Sequence, residues 1–223
     1  MNTRNRFKSA IWANNSRQIL LGGAGGISSW VYLLLSRSND HKILVVDPDT
    51  VEDHNLGGQL FQSKFVGSPK VQALYDTVSD LVYPVPNPFL EVSKIQDLFG
   101  AVTDYVIMGF DNMEARKYTY ETWKSLKTRK ILIDGRLQAE QFEIYFVTPG
   151  REERYEKTMF SSEEEEDLSC TFKSTSHFAA MIASIIVQGF NSYLANEVSE
   201  EEVYHLPFKY YCFGPTFTTE IEN

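Results

Sequence analysis

The stretch QILLGGAGGISSWVYLLL (18–35), followed by KILVVDPDTVEDHNLGGQLF (42–61) and VGSPK (66–70), decides the reading of this chain. An apolar run, Ile19 to Leu21, meets Gly22, Gly23, Gly25 and Gly26, and a helical pattern follows at once. A second apolar run, Ile43 to Val46, ends in Asp47. This is the strand–turn–helix–strand order of a nucleotide-binding βαβ unit. Glycines let the backbone approach a phosphate, and the free N–H groups and dipole of the helix start favour negative charge. Gly23 and Gly25 fit the first two places of the GxGxxG fingerprint, and Ser28 holds the third. Asp47 lies 24 positions after Gly23, near the place where such folds carry the acid that accepts from ribose hydroxyls. A turn cap is the competing use of Asp47, because VVDPDT is also a good turn sequence.

Outward from this core, the pattern predicts strands at 18–22 and 43–47 with a helix over 26–37 between them. Pro69 opens a helix to Val82, since proline suits a first helical turn. FLEVSK (89–94) is a candidate third strand, DYVIMGF (104–110) and KILID (130–134) read as buried strands, and 112–127 reads as a helix. QFEIYFV (141–147) alternates like a half-exposed antiparallel strand. An apolar helix is expected over 176–196, and HLPFKYYCFG (205–214) as a late edge strand or ordered tail. The expected architecture is a single α/β domain, a Rossmann-like three-layer fold with a mainly parallel central sheet and late antiparallel strands. Residues 1–17 are expected to form an arm with an amphipathic helix over 4–15, and 148–170 a mobile acidic loop.

Composition limits the function. The chain has 223 residues and 43% apolar content, enough for one sizeable core. Its net charge of −9 argues against a nucleic-acid backbone as the main partner. No apolar run nears the roughly 20 residues of a membrane span, and the N-terminal stretch lacks a signal-peptide core. Cys170 and Cys212 are the only cysteines, so neither a disulfide framework nor a four-cysteine zinc site is expected. A cytoplasmic setting without nucleic-acid or membrane partners is the expectation.

The order and spacing of Gly23, Gly25, Gly26, Ser29, Asp47, Asp49, Val51, Glu52, Asn55, Leu56, Gln59, Gly67 and Lys70 go well beyond a glycine turn. With these residues the chain resembles the ThiF/MoeB/HesA adenylyltransferase superfamily, which includes the ubiquitin-activating enzymes. Asp111 and Arg116 in GFDNMEARKY (109–118) extend the resemblance. The resemblance implies adenylation of a carboxylate by ATP with Mg²⁺, the acyl group being the C-terminus of a ubiquitin-like protein or peptide, and a homodimer. It implies phosphate contacts from Gly23, Gly25 and Gly26, ribose binding by Asp47, and triphosphate contacts from Asn55 and Gln59. Lys70 would neutralise phosphate charge, and Asp111, beside Asn112, would hold Mg²⁺, one carboxylate with phosphate oxygens and waters being a usual set for this ion. A solvated surface position is the competing use of Lys70, and an N-cap that of Asp111.

The family arginine of N-L-x-R-Q is Gly58 here. Lysine does not replace a planar multi-donor cation. The resemblance places a partner subunit's arginine at such sites, so Arg4, Arg6 and Arg17 are candidates, Arg6 first, with Arg136 a further one. Cys170, in LSCTFKST, stands where thiol-using members carry an acyl acceptor; an inert buried thiol is its competing role. His177 is a candidate base or helix cap. Two other classes fit the glycine turn: a non-catalytic nucleotide-binding scaffold, which Gly58 favours, and an NAD-binding oxidoreductase, which needs neither Lys70 nor Asp111.

Overall fold

The apolar run before the glycines forms β1 (Gln18–Gly22) and carries side chains alternately to two faces of a sheet. Ile19 and Leu21 enter one core, and Leu20 enters the other. A helix, α1 (Gly26–Ser38), returns the chain to β2 (Lys42–Val46), which pairs with β1 in parallel. The computed structural model describes residues 7–13, 15–81, 102–159 and 175–223. After β2 come α2 (Lys70–Leu81), β3 (Tyr105–Met108), α3 (Met113–Ser125), β4 (Ile131–Gln138), β5 (Gln141–Val147), α4 (Glu152–Glu156), α5 (Ser176–Ser199), β6 (Lys209–Phe213) and β7 (Thr218–Glu222).

Among the described residues, seven strands lie in the order β2-β1-β3-β4-β5-β6-β7. The first four are parallel, and β5, β6 and β7 are added antiparallel. Residues of α1, α2 and α5 fill the core on one face, and Tyr120 and Trp123 of α3 with Tyr155 of α4 fill the other. The expected α/β fold with a parallel core and late antiparallel strands is therefore observed. The candidate third strand at 89–94 lies outside the described residues.

Several expectations need correction. The expected helix over 4–15 is not one across its described part: residues 7–13 make successive turns, with Ala10 N–H bonded to Phe7 C=O and Ala13 N–H to Ala10 C=O. Trp12 packs on the core while Phe7 and Ile11 stay exposed, so tertiary contact holds this segment. The expected loop over 148–170 begins instead with α4. There Tyr155 is fully buried against Tyr120 and Tyr145, which anchors five residues too few to hold a helix alone. The strand in 205–214 is interior, because β7 pairs outside it. By length and composition α5 is apolar enough to cross a membrane, against expectation, although 67% of its apolar window is buried inside this fold.

That helix lies close to the sheet at Gly189. A Cβ there would strike the buried ring of Phe146, with Cζ at 2.6 Å. Alanine improves helix propensity by about 1 kcal/mol, whereas overpacking costs roughly 1–3 kcal/mol. Gly189→Ala is expected to lower the urea midpoint without changing the slope of the unfolding transition.

Candidate functional site

Parallel strands deliver their C-terminal ends to one edge of the sheet. At that edge β1 has β2 on one side and β3 on the other, the point where the strand order reverses and α/β folds bind ligands. Gly22 pairs with Val46 and with Met108, so the residues following all three strands start from one level.

Gly23 continues the β1 ladder with an N–H bond to Val46 C=O (2.8 Å), then turns with φ +84°, a region where side chains are strained. Ser28, the third fingerprint position, is buried and donates to Gly22 C=O at 3.0 Å. A Cβ on Gly109 would lie 2.9 Å from Ser28 Oγ, so small residues on both sides allow α1 to seat against the ends of β1 and β3. Gly25 precedes α1 with no side-chain cap. The first-turn amides therefore lack an intrahelical acceptor and face outward from the strand ends.

Asp47 is 6% exposed and tied to this turn: one carboxylate oxygen accepts from Ala24 N–H (2.7 Å), the other from Asp49 N–H (2.9 Å). It thus acts as a turn cap, and that use leaves acceptor capacity on both oxygens. Burial pushes its carboxyl above the usual carboxylate range, against the opposing pull of Lys70 and the two amides.

Lys70 starts α2 and is not the solvated residue of the competing reading. Its side chain is 10% exposed and its ammonium donates to Asp49 Oδ2 at 2.8 Å. The backbone fixes that pair, since Lys70 N–H bonds to Asp49 C=O and Val51 exchanges bonds with Ser68 and Gly67. Asn55 is buried and closes a capping box with Glu52. Gln59 brings its amide to within 3.9 Å of a Cβ built on Gly25, while its buried Oε1 has no hydrogen-bond partner. Ser29 Oγ accepts from Leu60 N–H, fastening the 53–61 segment to α1.

The third strand end carries Asp111. Gly109 N–H bonds to Gly22 C=O (3.0 Å), which places the Gly109–Asp111 turn beside the glycine turn. Asn112 is the N-cap of α3, accepting from Ala115 N–H at 2.8 Å. Asp111 is exposed and has one weak contact, Asn112 Nδ2 at 3.5 Å. Capping is thus assigned to Asn112, and the carboxylate beside it is available to a ligand. An exposed carboxylate at a strand end fits Mg²⁺ shared with phosphate oxygens; among the described residues no cluster of three metal-binding side chains offers a protein-only cage. Asn112→Ala is expected to cost about 1 kcal/mol, and Asp111→Ala to leave the melting temperature unchanged; thermal melting of the two variants separates their roles.

Among the arginine candidates, Arg17 is at the opposite end of the sheet, just before β1, bound to Glu197 and Tyr105. Arg136 spends its guanidinium on Asp134 (2.7 Å) and on the carbonyl and hydroxyl of Thr158. Neither is free to replace the side chain missing at Gly58. Arg4, Arg6 and Cys170 lie outside the described residues. His177 is exposed in the first turn of α5, whose N-cap is Thr175, so it is not the cap. Cys212 is a buried thiol in the sheet, its pKa raised by burial.

Asp134 is not among the residues expected at the site from sequence. It is fully buried and binds Arg116, Arg136 and the Tyr155 hydroxyl. Its signal was one acid at the end of the buried run KILID, paired by residues distant in the chain.

Comparison with known proteins follows the same lines. A family model described as "ThiF family" matches residues 13–217. The NEDD8-activating enzyme E1 catalytic subunit of Schizosaccharomyces pombe is 31% identical over 142 residues, covering 60% of this chain and 31% of that protein. A tRNA threonylcarbamoyladenosine dehydratase of Haemophilus influenzae is 28% identical over 119 residues, covering 51% of this chain and 45% of that protein. The chain therefore spans less than half the length of these relatives. The crystal structure of E. coli MccB aligns with all of this chain and 64% of its own, with a TM-score of 0.70 and 14% identity, a likeness of fold. MccB solved with ATP aligns at 0.69, with 16% identity, over all of this chain and 66% of its own.

Proposed function

The chain belongs to the ThiF family, and from that premise we propose that it uses ATP to adenylate a carboxylate. The acyl substrate is the C-terminus of a ubiquitin-like protein or peptide, a choice supported by the relative named for NEDD8 activation. One observation carries the reading. Asp47 is buried against the glycine turn, and Lys70 is held by Asp49 near enough to oppose the effect of that burial.

In the reaction, a carboxylate oxygen of the substrate attacks the α-phosphorus of ATP. A carboxyl–phosphate bond forms, the bond to the β-phosphate bridging oxygen breaks, and pyrophosphate leaves. The amides of the 25–28 stretch receive phosphate oxygens, those of Gly23 and Ala24 being taken by Val46 and Asp47, contrary to the contact expected of Gly23; Asp47 accepts from ribose hydroxyls, and Gln59 borders the turn. Lys70 neutralises the charge that builds on the phosphates, an effect that grows in a site sheltered from water. Asp111 would hold Mg²⁺, which supplies positive charge to the phosphate oxygens when bound. Positioning provides the remainder of the acceleration. In a further step of this proposal the Cys170 thiol gives up its proton and attacks the acyl carbon, a thioester forms, the carboxyl–phosphate bond breaks and AMP leaves. A homodimer accords with it, because Phe7 and Ile11 are 40% and 42% exposed and can be covered by a second copy.

A specific observation favours a second reading, a nucleotide-binding scaffold without turnover. Gly58 replaces an arginine, and Arg17 and Arg136 are both committed elsewhere. Exchange of labelled pyrophosphate into ATP in the presence of C-terminal peptides tests both. Exchange supports adenylation; ATP binding without exchange for any peptide supports the scaffold, and loss of both overturns the nucleotide site. A Cys170→Ala protein that still transferred the acyl group to its final acceptor would remove the thioester step.

A further inference from the structure

We propose that Asp134 is a positioning residue that sets the direction of the Asp111 carboxylate by way of Arg116; the inference rests on the nucleotide-site reading above. In the register of the sheet Asp134 stands opposite Met108, the last residue of β3, level with the turn that leads to Asp111. Its carboxylate is fully buried and surrounded by donors. Arg116 binds Oδ1, while Arg136 Nε (2.7 Å) and the Tyr155 hydroxyl (2.9 Å) donate to Oδ2.

Arg116 is buried too, and its second terminal nitrogen donates to the carbonyl of Phe110, the residue immediately before Asp111. Both terminal nitrogens also lie 3.4 Å from Gly135 C=O. A guanidinium is planar and its donors diverge at fixed angles. Once Asp134 fixes one arm, the other arm is fixed on Phe110, and so is the peptide plane from which Asp111 departs. The remaining restraints on the turn lie to either side: Gly109 bonded to Gly22, and Asn112 capping α3. Asp111 has no firm side-chain partner of its own, so its backbone aims it.

Stability alone is a weak reason for this arrangement. A buried ion pair is often no more stabilising than apolar residues of equal volume. What apolar residues cannot do is hold the Phe110 carbonyl in one orientation. Groups that orient a metal-binding side chain typically change metal affinity about 10–100-fold when replaced.

The test measures ATP binding by calorimetry, in EDTA and across a Mg²⁺ titration, beside thermal melting. Asp134→Asn keeps the shape and removes the charge. Arg116→Lys keeps a cation opposite Asp134 and removes the arm to Phe110, and it decides the matter if Asp134→Asn does not fold. Tyr155→Phe removes one bond to Asp134 and leaves Arg116 in place. The expected result is a rise of about 10–100-fold in the Mg²⁺ concentration required by Asp134→Asn and Arg116→Lys, with binding in EDTA unchanged and with Tyr155→Phe like the wild type in both. A Mg²⁺ requirement that is unchanged in the first two, or that follows melting temperature across all three, overturns the inference while the nucleotide site stands. Failure of the wild-type chain to bind ATP overturns the site and this inference together.

Discussion

Replacing Lys70 with methionine is expected to lower ATP–pyrophosphate exchange by about 10²–10³-fold, the usual cost of removing one preorganised charge from a reacting centre. Methionine keeps the apolar stem of a side chain that is 10% exposed and deletes the ammonium. The stability cost is expected to be small, because the partner Asp49 is 61% exposed and returns to water when the pair is lost. Such half-exposed pairs contribute about 0–1 kcal/mol, and at this chain length each kcal/mol moves the melting temperature by about 2–4 °C. Exchange kinetics and a melting curve on one preparation therefore separate chemistry from folding. An unchanged exchange rate would remove Lys70 from the mechanism; a collapse of the melting temperature would make it a structural residue.

Arg116→Ala is expected to have the opposite profile, a large loss of stability. It leaves the fully buried Asp134 carboxylate short of a cation and the Phe110 carbonyl without its donor. Breaking a buried pair from one side costs about 3–5 kcal/mol. Arg136 and the Tyr155 hydroxyl still contact Asp134, which favours the lower end of that range. The corresponding fall in melting temperature is roughly 6–20 °C. A fall under about 3 °C would mean that the cluster is held chiefly by Arg136 and Tyr155, and would weaken the argument that Arg116 is rigid enough to orient a turn.

The elements read correctly from sequence are those whose cause is local. Gln18–Gly22 is an apolar run stopped by glycine, and its bounds agree with the reading. Helices α1 and α5 follow apolar runs that continue over several turns. The missed elements have local patterns that are weak. β7 is TTEIE, exposed at every position, and exists through its ladder to β6. Helix α4 is one short polar turn that depends on the burial of Tyr155. Strand β4 runs four residues past its apolar segment because β5 folds back and pairs with Gly135 to Gln138.

The candidate site divides in the same way. Its glycines, Asp47, Lys70 and Asp111 are legible because a tight turn, a strand-ending acid and a helix-starting cation stand at fixed offsets along the chain. Which charged groups are free to meet a ligand was settled only in three dimensions. Arg17 is bound to Glu197, 180 positions away, and Arg136 to Asp134 on its own strand, while Asp111 is released because Asn112 takes the cap. Periodicity and turn chemistry act between near neighbours and are written in order along the sequence. Charge pairing depends on distance in space and on exclusion of water, and both exist only after the sheet and its two helical layers have closed.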